Sequence, residues 1–421
     1  MGGKREALSN VGGPVEARGD PAFRFVLAAA MRAQDPSEDP SEDPSDEHDG
    51  QPLVARDALT HGFHAYPARM HPAVARVILQ ELSLGPGSEV LDPFCGSGTV
   101  AVEAMVAGWR SLGSDLDPLA LRLARVKTEV RSDRQRQRFL DRCAAVAEAS
   151  QRRVQDRVEV RARLSAEERA WYDAHVLKEL AGLLEEIRAV ENEADRRALE
   201  MVFSAIVVKF SRQRSETAER AAQKRIRKGL ATEFFLRKGE ELARGWAELA
   251  AALPRPHHAP RFVLSDARTL PQTLAGEYRC DLVLSSPPYG GTYDYLSHHA
   301  RRHAWLGINP KKLREGEIGA RRQLSRSAPR GRSVARDRWD AQMLAVLESI
   351  AALLEAEGVA VLLVGDAQLG DAREPADAQL ERLAEAAELA VVAVASQPRP
   401  DWRGGPPRRE HLVALRPGDP R

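Results

Sequence analysis

Short apolar runs alternate with helical stretches in two separate parts of the chain, and this alternation constrains the fold more than any other feature. The runs that resemble strands cover residues 89–91, 111–115, 261–264, 281–284, 359–364, 389–395 and 411–415. Strands that alternate with helices indicate an open, mostly parallel sheet covered by helices on both faces. The sequence therefore predicts an α/β fold with seven strands, whose ligands bind outside the carboxyl ends of the strands.

The alternation divides the chain into four predicted segments. Residues 56–128 and 261–421 carry the α/β pattern and are predicted to form the two halves of one core. Residues 129–260 between them are charged and rich in Ala, Leu, Glu and Arg, and a capping box at Ser165 and Glu168 opens an apolar stripe with helical spacing. We predict that this segment is a helical insertion.

The first segment, residues 1–55, is predicted to be disordered and acidic. The first fifty residues carry eleven acids and five bases, a net charge of −6 in a chain whose formal net charge is +1. A repeated Asp-Pro-Ser-acid unit over 35–46 combines prolines with like charges, so it cannot bury enough apolar surface to offset chain entropy. Residues 21–32 allow one short helix within this segment.

Chain length and cysteine content exclude several classes of protein. A chain of 421 residues can bury a large core without disulfides or metals. Cys95, Cys143 and Cys280 are too few and too scattered for a disulfide framework or a zinc pair. No run of about 18 apolar residues exists, and the N-terminus lacks the pattern of a signal peptide. The sequence thus predicts a cytoplasmic protein without a membrane partner.

A glycine turn, DPFCGSGT at 92–99, directly follows the first predicted strand. It suits a nucleotide-like cofactor, although a dinucleotide site, a phosphate site or a simple strand-to-helix turn would carry similar glycines. Asp115 ends the second strand, where a carboxylate accepts hydrogen bonds from ribose hydroxyls. Asp117 precedes Pro118 and is predicted to cap the next helix. Asp266 provides another acid at the end of the third strand.

The most specific motif is Ser286-Pro287-Pro288-Tyr289, at the end of the fourth strand. The two prolines fix the backbone and remove N–H donors, so that the carbonyls and the Ser286 hydroxyl face one way. Tyr289 offers a flat aromatic face. The motif predicts a pocket that accepts an amino group and stacks a planar ring.

Together these motifs resemble those of the S-adenosylmethionine-dependent DNA amino-methyltransferases that modify cytosine N4 or adenine N6. The resemblance covers residues 63–128 and 262 to about 307. It implies the class I (Rossmann-like) methyltransferase fold, S-adenosyl-L-methionine as cofactor and DNA as partner. A serine at position 286 is the form commoner among cytosine-N4 enzymes.

The resemblance also assigns roles to individual residues. It places Ser286, Pro287, Pro288 and Tyr289 in the catalytic motif. Tyr66, within the segment 64–72, is expected to help enclose the methionine end of the cofactor. The other cofactor-binding residues that it implies are Asp92, Phe94, Gly96, Gly98 and Thr99 in the glycine turn, Asp115 at the ribose and Asp266 beside the adenine.

Two basic stretches are suited to a polyanion. Residues 201–230 have a net charge of +6 and residues 298–338 a net charge of +9. Basic runs are often solvated surface, but beside a base-modifying pocket they favour phosphate contacts. The predicted contacts are Arg212, Arg214, Lys224, Arg225, Arg301, Arg302, Arg321 and Arg322.

Three histidines, His298, His299 and His303, follow the catalytic motif. No carboxylate or cysteine lies near them in sequence at a spacing typical of metal ligands, so no metal site is predicted. Asp366 ends the fifth strand and is either a lesser site candidate or a helix cap.

The sequence as a whole predicts methylation of an exocyclic amino group in DNA, with cytosine N4 preferred as the target. Two other enzyme activities stay open, since RNA amino-methyltransferases and protein glutamine methyltransferases use similar Pro-Pro-aromatic motifs. A third alternative is an inactive nucleic-acid-binding homologue.

Overall fold

The fold comes from a computed structural model of the chain. This structure describes residues 13–34, 57–82, 84–85, 87–156, 158, 162–214, 221–222, 224–327, 332–369, 372–399 and 408–418. The strands are β1 (Glu16–Gly19), β2 (Glu89–Asp92), β3 (Arg110–Asp115), β4 (Arg261–Leu264), β5 (Cys280–Ser285), β6 (Leu354–Gly365), β7 (Ala367–Leu369), β8 (Ala372–Glu374), β9 (Leu389–Arg399) and β10 (Arg408–Pro417).

The helices cover both faces of the sheet and form the insertion. They are α1 (Pro21–Arg32), α2 (Pro72–Glu81), α3 (Thr99–Ala107), α4 (Pro118–Lys127), α5 (Asp133–Gln155), α6 (Ala166–Arg169), α7 (Ala174–Arg188), α8 (Glu193–Val207), α9 (Leu230–Ala252), α10 (Leu270–Thr273), α11 (Tyr295–Leu306), α12 (Lys311–Gly316), α13 (Arg321–Ser327), α14 (Arg332–Leu353) and α15 (Ala376–Ala384).

One sheet organises the molecule, with the strand order β1-β9-β10-β6-β5-β2-β3-β4. The strands from β6 through β5, β2 and β3 to β4 are parallel to one another. β10 is antiparallel to both of its neighbours, so β9 runs in the same direction as β6. All seven predicted strands lie in this sheet, and the predicted class I methyltransferase architecture is confirmed.

The N-terminal segment differs from the prediction, because part of residues 1–55 belongs to the fold. β1 adds an eighth strand, antiparallel to β9, at the sheet edge. The following helix α1 buries Leu27 and Met31 against Val74 and Ile78 of α2. The prediction of disorder rested on the acid content of the whole segment, which does not reflect the apolar face of this one helix. The repeat over 35–46 lies outside the described residues.

The insertion packs against the elements that carry the predicted site. In the described part of residues 129–260, the helices α5, α7, α8 and α9 bury Phe139, Leu180, Phe203 and Trp246 in a core that they share with α4. Trp305 of α11 belongs to the same core and makes edge-to-face contact with the Phe203 ring, with centroids 5.5 Å apart. The insertion therefore supports the helix that follows the Ser-Pro-Pro-Tyr motif. In the part of the chain with described structure, no helix is long and apolar enough to span a bilayer.

Candidate active site

A cleft with about 830 Å³ of empty space, part of it open solvent, lies at the carboxyl ends of β2, β3, β4 and β5. We call it the central cavity. The predicted site residues that line it are Tyr66, Asp92, Phe94, Gly96, Thr99, Asp115, Ser286 and Pro288. Further lining residues, not predicted from the sequence, include Arg69, Ser97, Asp117, Ser265, Tyr295, Leu313, Glu317 and Ile318. The cavity therefore brings together the glycine turn and the Ser-Pro-Pro-Tyr motif, which are nearly two hundred residues apart.

The glycine loop, residues 92–99, is held by its own backbone and by Tyr66. Gly96 has a φ of +47°, and a Cβ there would lie 3.0 Å from the Tyr66 ring. Gly98 has a φ of +85°, and a Cβ there would lie 2.9 Å from the Ala124 Cβ in α4. Gly96 thus borders the cavity, whereas Gly98 serves the packing of the loop against α4. Both glycines are predicted to bind the cofactor, and only Gly96 of the two lines the central cavity.

Asp115 connects the second strand to the glycine loop. Its Oδ2 accepts a hydrogen bond from the backbone N–H of Gly96 at 3.0 Å, and its Oδ1 accepts one from the N–H of Asp117 at 2.8 Å. Burial raises the pKa of Asp115 to about 7, and hydrogen bonds from the backbone oppose that rise. A carboxyl group at the cavity wall is therefore able to change charge near neutral pH.

Asp92 joins the two motifs directly. The Ser285 hydroxyl, one residue before the Ser-Pro-Pro-Tyr motif, donates a hydrogen bond of 2.6 Å to Asp92 Oδ1. The N–H of Phe94 donates to the same oxygen at 3.2 Å. Burial raises the pKa of Asp92 to about 7 despite these bonds. The ends of β2 and β5 are thereby fixed to each other.

The remaining predicted residues lie around the cavity without lining it. Pro287 is buried, and Tyr289 is half-buried with its hydroxyl donating to Glu410 Oε1 at 3.1 Å. Asp266 caps the turn at Ala267–Thr269, and its carboxylate forms an ion pair with Arg268. Asp266 itself does not line the cavity, whereas Ser265 and Ala267 on either side of it do.

A buried carboxylate orders two of the three predicted histidines. Asp117 accepts a hydrogen bond from His299 Nδ1 at 2.7 Å and pairs with His303 Nε2 at 2.9 Å. It also caps α4 as predicted, by accepting from the N–H of Leu119 at 2.9 Å. The two histidines hold the pKa of Asp117 well below its usual range, although burial acts in the opposite direction.

The spacing of residues in the sequence does not indicate this carboxylate, because only the fold brings Asp117 to α11. The three side chains have the composition of a metal-ligand set. However, His303 Nδ1 is buried and has no hydrogen-bond partner among the described residues. Because a metal-bound imidazole normally donates its other N–H to an acceptor, the geometry favours a hydrogen-bonded triad.

Most of the predicted phosphate-binding residues that follow the motif are occupied by protein contacts. The prediction for Arg302 is wrong: its side chain is fully buried, and its Nε donates to the Ser204 carbonyl at 3.2 Å. Position 302 shares the inner face of α11 with His299 and His303, one helical turn apart. Arg301 contacts both oxygens of Glu168 at 2.7 and 2.9 Å.

The other predicted phosphate-binding residues differ in whether a contact within the protein occupies their side chains. Arg321 and Arg322 form ion pairs with Asp294. Arg212 pairs with Asp173 at 2.8 Å, and Lys224 donates to the Lys209 carbonyl at 2.9 Å. Arg214 and Arg225 are exposed.

Comparison with known proteins matches the first half of this core to a methyltransferase family. Residues 63–171 match the family described as UPF0020, RMKL-like, methyltransferase domain. The chain is 40% identical over 73 residues to the Type II methyltransferase M.MvaI of Kocuria varians, which is 17% of this chain and 16% of the relative. It is 23% identical over 282 residues to the Type II methyltransferase M.BsoBI of Geobacillus stearothermophilus, covering 61% and 54% of the two chains.

A third relative is an RNA-modifying protein. The chain is 40% identical over 52 residues to the tRNA (guanine(10)-N2)-dimethyltransferase of Methanothermobacter thermautotrophicus, which is 12% of this chain and 16% of the relative. The chain spans about half or less of the length of each of these three relatives. Residues 63–171 are thus similar to a methyltransferase domain, and the predicted resemblance to the S-adenosylmethionine-dependent DNA amino-methyltransferases is confirmed.

Proposed function

We propose that the protein transfers a methyl group from S-adenosylmethionine to an exocyclic amino group of DNA, with cytosine N4 as the target. The observation that carries this proposal is the shared cavity of the glycine loop and the Ser-Pro-Pro-Tyr motif, fixed by the Ser285–Asp92 hydrogen bond. The two Type II methyltransferase relatives support DNA as the substrate class. Ser286 supports cytosine over adenine through the resemblance alone.

The residues of the central cavity fit this cofactor. Thr99 Oγ1 is buried without a hydrogen-bond partner among the described residues, and it lies in the first turn of α3, where free backbone N–H groups attract an anion. Arg69, whose guanidinium forms an ion pair with Asp57 at 3.3 Å, adds a positive charge at the cavity wall that favours a carboxylate. Asp115 would accept hydrogen bonds from the ribose hydroxyls. When bound, S-adenosylmethionine supplies a methyl group on a sulfonium centre that is ready for direct transfer.

The task of the catalytic motif is to prepare the amino group. The lone pair of an exocyclic amine is delocalised into the ring, so the amine is a weak nucleophile until that pair is localised. The Ser286 hydroxyl and the Pro287 carbonyl would accept its two N–H bonds and direct the lone pair into the cavity. Positioning of this kind lowers the barrier without a general base, and the methylated nitrogen then loses its extra proton to solvent.

The target base must also leave the duplex. Extrusion of a base costs a few kcal/mol, and stacking on an aromatic face offsets part of that cost. Tyr289 is the aromatic residue that the motif provides for this contact. No covalent intermediate is required, since the residue after the two prolines is a tyrosine and the nearby Cys95 is buried within the glycine loop.

The proposal is tested by transfer of tritiated methyl groups to DNA, tRNA and protein in parallel. We expect label in unmethylated genomic DNA and N4-methylcytosine after enzymatic digestion. Ser286→Ala serves as the matched variant, and it should lose most of the transfer while S-adenosylmethionine still binds. DNA that stays unlabelled beside labelled tRNA would contradict the substrate class.

RNA is the second candidate substrate, and one observation favours it. The local identity to the tRNA (guanine(10)-N2)-dimethyltransferase equals that to M.MvaI, at 40% over a shorter segment. In this case the same cavity would present its motif to an amino group of an unpaired RNA base. Labelled tRNA in the parallel assay, with unlabelled DNA, is the result expected for this alternative.

A further inference from the structure

The ring of Tyr289 lies over the carboxyl end of β6. A Cβ added to Gly365 would lie 2.6 Å from the ring atoms Cδ2 and Cε2 and 3.2 Å from Cγ. These distances place Gly365 against one face of the ring, since an in-plane approach would leave Cγ much farther away. Glycine at position 365 therefore leaves room for the aromatic side chain, and the strand backbone supports one face of the ring.

The hydroxyl end of the ring is held by the neighbouring strand. Glu410 of β10 is the register partner of Gly365 in β6. The Tyr289 hydroxyl donates to Glu410 Oε1 at 3.1 Å. A side chain that rests on one strand is thus anchored by a carboxylate on the adjacent, antiparallel strand.

The anchoring carboxylate is itself fixed. Arg399 of β9 donates from Nε to Glu410 Oε2 at 2.8 Å, and both side chains are largely shielded, with 16% and 23% of their surfaces exposed. Each oxygen of Glu410 therefore has its own partner. A hydrogen bond to an ionised group is stronger than one between neutral groups, so this contact is able to define the orientation of the ring.

We propose that Glu410 is a positioning residue, which holds the Tyr289 hydroxyl and thereby fixes the orientation in which the ring stacks on the target base. This inference rests on the proposed function and deepens it, because it names a residue outside the Ser-Pro-Pro-Tyr motif that prepares the base-binding surface. Glu410 acts through Tyr289 and has no assigned contact with the cofactor.

The test is a double-mutant cycle of Glu410→Ala and Tyr289→Phe, with kcat and the KM for S-adenosylmethionine measured on unmethylated genomic DNA and on tRNA. In the wild-type background, Glu410→Ala should lower kcat about tenfold, the size of an ordinary coupling between contacting side chains, and leave this KM unchanged. With Tyr289→Phe already present, the hydrogen bond is absent, so Glu410→Ala should change kcat less than about twofold.

Two further variants keep the test specific. Glu410→Gln retains an acceptor oxygen but loses the charge that pairs with Arg399, so it should recover part of the kcat that Glu410→Ala loses. Arg409→Ala, at the adjacent position of β10, removes a pair with exposed Glu16 and should leave kcat unchanged. The inference would be overturned, while the proposed function stands, if Glu410→Ala lowered kcat equally in both backgrounds or raised the KM for S-adenosylmethionine. A wild-type protein that labels neither polymer would overturn both.

Discussion

Single residues at the cavity wall carry most of the proposed chemistry. Asp92 and Asp115 are carboxyl groups that burial shifts toward neutral pKa values, while Asp117 is held ionised by two histidines. Such opposite shifts among neighbouring carboxyl groups are typical of functional sites. The positions of Asp92 and Asp115 were predictable, because each ends a strand. The partners of Asp117 and the anchor of Tyr289 were not, since both come from elements distant in sequence.

The pKa of Asp115 leads to a prediction for cofactor binding. Only the ionised carboxylate accepts hydrogen bonds from both ribose hydroxyls, and with a pKa of about 7 this form is lost as the pH falls. We expect the Kd for S-adenosylmethionine to rise about tenfold from pH 8 to pH 6, as for one proton that competes with the ligand.

Isothermal titration calorimetry at constant ionic strength measures this dependence. Asp115→Asn should bind more weakly and remove most of the pH effect. An unchanged slope in this variant would assign the titrating group to another residue.

At the scale of elements, the packing of α3 against α4 sets the shape of the glycine loop. Gly98 begins α3 in a left-handed conformation, and Ala124 of α4 occupies the space that a side chain would need. The sequence correctly predicted the turn and the start of α4, because Asp117 before Pro118 is a strong local signal. It could not separate the two glycines of the loop, since their neighbours are known only from the fold.

This packing predicts the effect of Gly98→Ala on stability. The new methyl group would meet the Ala124 Cβ at 2.9 Å, and overpacking of this kind costs about 1–3 kcal/mol. Gly229→Ala is a matched control, because Gly229 also begins a helix with a φ of +85° but has open space around it.

Urea unfolding of the two variants gives the comparison. We expect Gly98→Ala to lower the free energy of unfolding by more than Gly229→Ala does. Equal losses would show that backbone strain alone matters and that the contact with α4 does not.

The whole molecule combines a sheet that the sequence predicted with contacts that it did not. The seven strands were predictable, since each is a short apolar run between turn signals. The docking of β1 and α1, the burial of Arg302 and the position of the insertion beside α11 were not, because they depend on which helix faces meet. Local charge counts therefore overestimated the surface available to a polyanion.

The exposed cations lead to a prediction for the intact protein. Arg214 and Arg225 remain exposed, and each phosphate contact contributes about one unit to the slope of log K against log salt concentration. We expect Arg214→Ala with Arg225→Ala to weaken DNA binding and to reduce this slope by about two units.

Fluorescence anisotropy with a labelled duplex at several salt concentrations measures the slope. Arg32→Ala, exposed on α1, is the control and should leave the slope unchanged. A double variant with the wild-type slope would exclude these two arginines from the interface.

The central claim is that the glycine loop and the Ser-Pro-Pro-Tyr motif serve one reaction in one cavity. A crystal structure of the protein with bound S-adenosylhomocysteine tests it most directly. The account predicts that the product lies in the central cavity, with its ribose at Asp115 and its sulfur facing Ser286 across a gap that fits a methyl group and an amine. A product bound outside this cavity, or with its sulfur turned away from residues 286–289, would contradict the account.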